Sequence, residues 1–585
     1  MGELRCVVMV VVVVVVGCLM ATGVDSRPLS SSESSRMDRF MHEIKRCGRV
    51  PAMSLSMVRD GEVVYVHGYG TANPTARTAT TRDTVFCLGG ITQTFTATLM
   101  AKLLNDNRNY TWDTPITEML GGLVQFGDRY RSEYLSLKDV FTMRTGLTNM
   151  DIVPLANSMR RYRLIRNLKF APEVAPFRER FVHNDVMFVL AGEVLRVLGR
   201  DSFDKLVKRH LLEPLGMTNT FFLNVDAEGQ ANLAQPVLSY KGSPMVIPME
   251  SLRGQHLIAA GTSMCSSALD MANWLLFNLD DGMNSDQEEI IPSHLLAELY
   301  TPQTVRSGGG DPRTEGFTQH QSQIGYTLNS NTLGYERGFF RDYTMLSKGG
   351  SLPGYESLLT FIPERDVGVF TGFVGDNNAR LYATKTFVNS YALDMLLHGQ
   401  PGVDLDDVCN VIDNMVDEVN KYRDSESTSV VHQAGEAQRP LETYRGLYRS
   451  LAFDDVRVVV NESMLYLSYG MYAEYILHPT DTNDVFIMEA ISGPIWYTTH
   501  VDIYRQTGRF VARFNASAEN SDVIETVVIP HFDKNVDPVF GKRVEIPDLS
   551  AKPWDDCNGS PVATTTFTLV YLLSFIIISL KCHFA

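Results

Sequence analysis

The sequence predicts an α+β protein with an antiparallel sheet flanked by helices, followed by a small C-terminal antiparallel β-barrel. Three observations predict this. A hairpin pattern covers residues 53–70, apolar helical stretches cover 94–104 and 188–197, and short β-rich segments separated by turns follow residue 440. The chain has 585 residues, enough for more than one domain with a full-sized core.

The hairpin is the clearest local element. Met53 to Val58 alternates, Asp60-Gly61 is a tight-turn dipeptide, and Val63 to Val66 returns. Further along, Ser347 to Phe370 predicts two core strands around a Leu-Pro-Gly-Tyr turn. A Gly-, Arg- and Gln-rich stretch at about 303–323 is typical of a surface loop.

Composition places the domain boundaries. Residues 424–440 are rich in Ser, Glu and Gln, which is typical of a linker. Beyond them, short β segments separated by turns predict the barrel. We therefore expect a main domain at 37–400, a linker at 401–440 and a barrel domain at 441–550.

Both ends of the chain carry apolar segments. Residues 1–23 have one basic residue, a Val-rich core and small residues at the end, which predicts a cleaved secretory signal peptide. The apolar tail at 561–580 follows Asn558-Gly559-Ser560. This pattern favours a glycolipid-anchor signal attached at Asn558, and a single spanning helix is the alternative. Either reading puts the folded part outside the cell, secreted or attached to its surface.

Secretion has two further expected consequences. Asn109, Asn461 and Asn515 stand in Asn-x-Ser/Thr tripeptides and are candidate glycosylation sites. The mature chain keeps five widely spaced cysteines, at positions 47, 87, 265, 409 and 557. One or two disulfides fit that number, with the pairing open, and the apolar surroundings of Cys87 and Cys265 also suit buried thiols.

The net charge of the chain excludes some classes of binding partner. A net charge of −16 argues against nucleic acid and anionic lipid, so membrane contact is expected only through the tail. Acidic clusters at 280–289 and 404–407 lack the spacing of a calcium-binding loop. We therefore expect no cofactor and no metal site, while a matrix or mineral surface remains a candidate partner for an acidic extracellular protein.

The segment Phe86–Ala97 is the most informative part of the chain. It reads Phe-Cys-Leu-Gly-Gly-Ile-Thr-Gln-Thr-Phe-Thr-Ala and resembles the segment that opens the active-site helix of serine β-lactamases, penicillin-binding proteins and related serine hydrolases. In that family a nucleophilic serine stands where this chain has Gly90, and a proton-accepting lysine where it has Gln93. Glycine has no side chain and an amide accepts no proton near neutral pH, so the resemblance implies that both groups are missing.

Other phrases extend the resemblance over residues 40–400, and more weakly over 440–530. They are Leu137–Leu147, Leu212–Met217 and Ala260–Trp274, in the family's order. The resemblance implies a β-lactamase/transpeptidase-like sheet flanked by helices, with the appended barrel that many members carry. An acidic secreted chain of this kind also resembles gigasin-type shell-matrix proteins of molluscs.

The remaining motif positions follow from the same resemblance. The family's Tyr-x-Asn aligns with Val182-His183-Asn184, so the phenolate is missing while the Asn is kept. His183 is one residue away from the tyrosine position and is expected to point elsewhere. The resemblance implies no catalytic residue at Gly90, Gln93 or Val182, and it implies a ligand-binding edge formed by Asn184, Lys348, Gly349 and Gly350.

A literal Ser-x-x-Lys occurs at Ser202–Lys205, where Ser202 reads better as a helix N-cap than as a nucleophile. We therefore expect a non-catalytic binding or extracellular-matrix protein, with a peptide or carboxylate as candidate ligand. The alternative is an active serine-type hydrolase (an esterase, amidase or D-aminopeptidase) with an unrecognised nucleophile.

Overall fold

The computed structural model describes residues 28–544 except 157, 224–229, 241–242, 306–324, 376–377, 427–432, 472, 494–509, 531 and 534. The predicted signal peptide, the apolar tail, Asn558 and Cys557 lie outside the described residues, as does most of the predicted loop at 303–323. Within the described part, no helix combines the length and apolar character needed to cross a bilayer.

The helices are α1 Ser31–Cys47, α2 Thr92–Asn107, α3 Ile116–Leu120, α4 Arg129–Tyr134, α5 Leu137–Phe141, α6 Ile152–Ala156, α7 Arg161–Asn167, α8 Phe188–Gly199, α9 Phe203–Val207, α10 Ala259–Thr262, α11 Ala268–Leu279, α12 Ser293–Tyr300, α13 Ala379–His398 and α14 Val408–Glu426. The predicted helices at 94–104 and 188–197 correspond to α2 and α8.

The strands of the main domain are β1 Ala52–Arg59, β2 Glu62–Asn73, β3 Thr78–Ala79, β4 Val85–Cys87, β5 Phe221–Phe222, β6 Val237–Tyr240, β7 Ser243–Val246, β8 Met264–Ser267, β9 Thr304–Val305, β10 Tyr326–Asn331, β11 Glu336–Phe340, β12 Tyr343–Leu352, β13 Tyr355–Ile362 and β14 Val367–Val374. Those of the C-terminal part are β15 Gly446–Ser450, β16 Asp454–Asn461, β17 Met464–Tyr469, β18 Ala473–Pro479, β19 Val485–Ser492, β20 Val511–Ala516, β21 Ile524–Val528 and β22 Val539–Gly541.

A large antiparallel sheet organises the main domain. Among the described residues it has nine strands in the order β3-β2-β1-β14-β13-β12-β11-β10-β9. The predicted hairpin is β1 paired with β2, and the two predicted core strands fall on β12 and β13. Strands β13 and β14 are buried at every position, because helices cover both faces of the sheet.

Helices pack on the two faces. Helices α2 and α11 lie on one face, where the ring of Phe95 in α2 stacks on Trp274 of α11 at a centroid distance of 3.8 Å. On the other face, Phe40 of α1 stacks on Tyr391 of α13 at 3.5 Å. Ser30 and Glu33 form a reciprocal capping box that starts α1. The sheet therefore has a separate apolar core on each side.

The structure differs from the predicted linker at 401–440. Helix α14 lies inside this range and packs on α1 and α13. Buried Val408, Ile412 and Met415 recur at helical spacing and join the core on that face. Cys409 also forms a disulfide with Cys47 at the end of α1. The first half of the predicted linker is therefore part of the main domain.

The C-terminal part forms the predicted barrel. The described strands β15 to β22 close into one antiparallel barrel. Its interior is aromatic, with Tyr444 and Tyr448 packed edge-on against Phe514. Closure leaves these strands without an open edge. The barrel rests on the main domain, where Arg163 of α7 pairs with buried Asp454 at 2.7 Å.

Candidate functional site

Gly90 lies where β4 passes into α2. Residues Gly89–Ile91 form a single tight turn, and α2 begins at Thr92. A Cβ placed on Gly90 would lie 2.8 Å from the carbonyl oxygen of Gly349 and 3.8 Å from Cε of Lys348. The structure therefore brings the first and third predicted motifs together, with the backbone of β12 directly against Gly90.

Two neighbouring glycines are also required by close packing. Gly89 has a φ of +52°, and a Cβ there would lie 2.6 Å from the Ser351 nitrogen. A Cβ on Gly350 would lie 1.7 Å from the Leu88 carbonyl oxygen. That oxygen also accepts a hydrogen bond from the Ser357 hydroxyl at 2.9 Å. The turn before α2 is thus held against β12 and β13 by contacts that only glycine permits.

The side chain of Gln93 is hydrogen-bonded to a carboxylate. It lies in the first turn of α2, is 1% exposed, and donates from Nε2 to Oδ1 of Asp185 at 2.7 Å. The second carboxylate oxygen of Asp185 lies 3.3 Å from Nε2 of His183. We expected His183 to point away from the site, and the structure instead places its ring against Asp185.

The charge on Asp185 is set by opposing effects. Burial by itself raises the pKa of this carboxyl. The His183 ring, the Lys348 ammonium and the N–H donated by Gln93 outweigh burial, and they hold the pKa of Asp185 below its ordinary value. Asp185 is therefore ionised near neutral pH, and the groups around it act as its donors and counter-charges.

The two other predicted positions on this loop have structural contacts. Val182 is buried, and its backbone N–H donates to the Met143 carbonyl at 2.7 Å. Asn184 is 1% exposed and donates from Nδ2 to the carbonyls of Leu147 and Thr148 at 3.0 and 2.7 Å. Its Oδ1 accepts from the Met187 N–H at 3.2 Å. Asn184 thus fixes the loop before α8, and its part in ligand binding stays a prediction.

The Lys348–Gly350 segment forms the edge of the site. Strand β12 pairs with β11 only as far as Ser347, while residues 346–352 pair with β13. Successive residues of a strand face opposite sides of the sheet. Lys348 accordingly lies beside Gly90, whereas a Cβ on Gly349 would lie 4.0 Å from Nζ of Lys385, on the α13 side. The backbone of Gly349 contacts the site through its carbonyl oxygen.

The barrel contacts the loop 148–150, which lies beside Asp185. Asp533 accepts from the Thr148 hydroxyl at 2.6 Å and from the Met150 N–H at 3.1 Å. Asn149, between these two residues, accepts through Oδ1 from the Asp185 N–H at 2.8 Å. The loop 148–150 therefore joins the barrel to the carboxylate that Gln93 binds.

A disulfide lies next to the site. Cys87 of β4 and Cys265 of β8 face each other across the strand pair and are bonded. Both are at most 1% exposed. The buried-thiol alternative is thus wrong for these two residues. The apolar surroundings were read correctly, and only the cross-strand register reveals the pairing.

The literal Ser-x-x-Lys lies elsewhere. Ser202 is at the N-cap of α9, as predicted, but its side chain makes no cap hydrogen bond there. Lys205 is 69% exposed, and its Nζ lies 3.7 Å from Asp201. The structure thus shows Lys205 as an exposed lysine beside a surface carboxylate, and the alternative that Ser202 is a nucleophile stays a prediction.

Sequence reasoning missed Asp185 and Asn149. Asp185 directly follows the aligned Asn184, but 92 residues separate it from Gln93. One signal was available in the sequence. Gln93 stands where the family has a lysine, and an amide N–H can donate to the same carboxylate with which a lysine would form an ion pair. Asn149 gives no comparable pattern.

Comparison with known proteins agrees with this arrangement. The family model described as beta-lactamase matches residues 37–385, more than half of the chain. The chain is 23% identical to the unguisins hydrolase ungD of Aspergillus violaceofuscus over 83% of its length and 85% of that protein. It is 28% identical to gigasin-6 of Magallana gigas over 39% of its length and 76% of that protein.

The fold is also found among solved structures. The octameric penicillin-binding protein homologue from Pyrococcus abyssi aligns with a TM-score of 0.51 and 19% identity, over 86% of this chain and 99% of that one. The family-model match, the order of the motifs and the sheet with its flanking helices agree. The chain therefore belongs to the family of serine hydrolases that includes β-lactamases and penicillin-binding proteins.

Proposed function

We propose that this chain is a non-catalytic, ligand-binding member of its family. The carrying observation is the position of β12: the Gly349 carbonyl oxygen would lie 2.8 Å from any Cβ at residue 90. A serine there would need β12 to move. The space that a nucleophile's side chain needs is occupied by backbone.

The other two chemical positions support the same proposal. Gln93 cannot accept a proton near neutral pH, and its N–H group is bound to Asp185. Val182 is an aliphatic side chain where the family uses a tyrosine. Acyl transfer needs a nucleophile, a base and a proton relay together, and this chain offers none of the three at these positions.

The polar groups left in the site indicate the ligand class. Among the described residues, the Gln93 Oε1 acceptor and the Asn149 Nδ2 donor are buried with no hydrogen-bond partner. A buried polar atom without a partner costs about 1–3 kcal/mol, so both favour a ligand that brings an N–H and a C=O. A peptide amide carries both groups. Lys348 at the edge of the site suits a peptide carboxylate.

We extend the proposal to an extracellular role in a matrix or at a mineral surface. The signal-peptide pattern and the resemblance to gigasin-6 support it. The candidate glycosylation sites Asn109, Asn461 and Asn515 are all exposed. In this role the site at Gly90 recognises a peptide end, and the barrel adds further surface.

The second candidate is an active hydrolase. The names of relatives favour it, since ungD is called a hydrolase and the protein from Brucella anthropi that is 24% identical over half of this chain is called a D-aminopeptidase. Such an activity would need a nucleophile outside the aligned positions. Ser202 is the residue that the sequence offers.

Covalent labelling separates the two candidates. The purified protein is incubated with a fluorescent fluorophosphonate and a fluorescent penicillin, and an active penicillin-binding protein serves as positive control. We expect no covalent label on wild type or on Ser202→Ala. Label that mass spectrometry maps to a residue around Gly90, or that Ser202→Ala abolishes, would overturn the proposal.

Binding is tested with acetylated dipeptides that keep a free carboxyl group. We expect them to raise the melting temperature of wild type and to have less effect on Lys348→Met, which keeps the length of the side chain without its charge. Equal stabilisation of both proteins would remove Lys348 from the site. No stabilisation of either would argue against peptide binding.

A further inference from the structure

A basic surface lies on this acidic protein. From residue 152 to residue 172 the chain has no Asp or Glu, yet the range contains Arg160, Arg161, Arg163, Arg166 and Lys169. The whole chain carries a net charge of −16. Helix α7 runs from Arg161 to Asn167, so these arginines are concentrated in about two turns.

Most of these arginines are not neutralised locally. Arg160 and Arg166 are exposed and Arg161 is half-buried. In the described part of the chain none of the three has a carboxylate within ion-pair distance. Arg163 behaves differently, because it pairs with Asp454 of the barrel at 2.7 Å. Arg160, Arg161 and Arg166 therefore keep their charges available to solvent.

Helix α8 extends this surface. Tyr162 is 52% exposed, and α7 packs against α8. Arg196 of α8 pairs with Glu193 at 2.6 Å, so it adds no unneutralised charge. Arg200 caps the end of α8 one turn further on, is exposed, and has no carboxylate within ion-pair distance among the described residues. The resulting arginine surface consists of Arg160, Arg161, Tyr162, Arg166 and Arg200.

We propose that the arginine surface binds a linear polysaccharide that carries sulfate and carboxylate groups. The planar guanidinium group donates two parallel N–H bonds to an oxyanion, which makes arginine more selective than lysine for such groups. The exposed ring of Tyr162 offers an apolar face beside the charges, against which a sugar ring can pack.

Charge favours a polysaccharide over a nucleic acid. Duplex DNA carries one negative charge about every 1.7 Å and stays rigid, so it would extend over the acidic remainder of the protein. A polysaccharide with more widely spaced anions can contact the arginine surface alone. The net charge of −16 then limits binding to this place.

The arginine surface is separate from the site at Gly90. Asp185 lies just before the start of α8, whereas Arg200 lies at its end. A helix of 12 residues spans about 18 Å. The proposal therefore goes beyond the ligand site at Gly90, and either one can fail without the other.

The test uses the full-length protein and immobilised heparin as the sulfated polysaccharide, with affinity measured by surface plasmon resonance at two salt concentrations. We expect Arg160→Gln/Arg166→Gln to weaken binding about tenfold or more, because two charge-assisted contacts are lost. The salt dependence should fall as well. The matched control is Arg457→Gln/Arg513→Gln, which removes two exposed barrel arginines and should stay within about twofold of wild type.

Four outcomes would overturn the proposal. Heparin binding that is absent, or unchanged by Arg160→Gln/Arg166→Gln, would remove the arginine surface as the site. Equal binding of duplex DNA or poly-aspartate would show unselective attraction of anions. Asp286 and Glu289 belong to the acidic cluster at 280–289, which a second copy of the chain could offer to the arginines. Self-association that is weakened both by Arg160→Gln/Arg166→Gln and by Asp286→Asn/Glu289→Gln would show that the arginine surface binds a second copy. Circular dichroism confirms folding, and Lys348→Met should leave heparin binding unchanged.

Discussion

Replacement of Gly90 tests the reasoning about the site most directly. A Cβ at this position lies 2.8 Å from the Gly349 carbonyl oxygen, and an ordinary contact begins at 3.4 Å, so the two must separate by about 0.6 Å. Overpacking of this kind costs about 1–3 kcal/mol. The lower entropy of the unfolded alanine chain returns about 0.4–1 kcal/mol. The mid-values of these two ranges leave a net loss, so we expect Gly90→Ala to destabilise the main domain by about 1.3 kcal/mol.

The matched control is Gly122→Ala. A Cβ on Gly122 meets no atom within 4 Å, so the same chemical change there should be neutral or stabilising. Urea denaturation followed by circular dichroism measures both variants. If Gly90→Ala is as stable as Gly122→Ala, β12 yields without cost and the space for a nucleophile is open.

The double variant Gly90→Ser/Gln93→Lys carries the reasoning to function. It restores the two family residues but leaves β12 in place and Val182 without a phenolate. We expect no label from a fluorescent penicillin. Labelling of this variant would show that the catalytic geometry survives in the protein, and that only side chains were lost.

Three more outcomes follow from the contacts described. The pKa of Asp185 is lowered in the folded protein, so its contribution to stability is present above the ordinary carboxyl pKa and is lost as the pH falls through the lower folded value. Denaturation at pH 6 and at pH 3 should therefore show a smaller difference in stability between wild type and Asp185→Asn at the lower pH. A difference that does not change with pH would contradict this. Asp533→Ala should cost about 2–3 kcal/mol by urea denaturation, because it removes the acceptor of the Thr148 hydroxyl proton and of the Met150 N–H. Exposed Glu519→Ala should cost almost nothing, and equal effects of the two variants would show that these contacts do not stabilise the protein. Cys87→Ser/Cys265→Ser should lower stability by about 2–5 kcal/mol, and non-reducing peptide mapping of wild type that finds these two thiols free would refute the pairing.

Local patterns in the sequence predicted the parts of the fold that local forces decide. The β1–β2 hairpin follows from alternation around Asp60-Gly61, and α2 follows from its apolar run. The barrel follows from short strands separated by turns. In each case neighbouring residues carry both the cause and the signal.

The linker shows where composition misleads. Val408, Ile412 and Met415 repeat at helical spacing in a stretch that we read as linker from its polar residues. These three residues decide the structure, because their burial against α1 and α13 stabilises α14. Periodicity should have outweighed composition here.

Local patterns could not identify partners that are distant in the sequence. Gln93 binds Asp185 across 92 residues, and Cys47 bonds to Cys409 across 362. The amide at position 93 indicates a hydrogen-bonding partner but does not identify Asp185, and the cysteines do not identify their pairing. The register of the sheet and the packing of helices bring these residues together. The resemblance located Gly90 and Gln93, and the structure then supplied what surrounds them.

The bond between Cys47 and Cys409 encloses nearly the whole main domain in one covalent ring. A protease that cuts a single peptide bond anywhere between these cysteines produces two fragments that stay attached to each other. On a gel without reductant such a clipped molecule migrates near the intact mass, and only thiol treatment separates the pieces. A protein closed in this way stays one particle after its first cut.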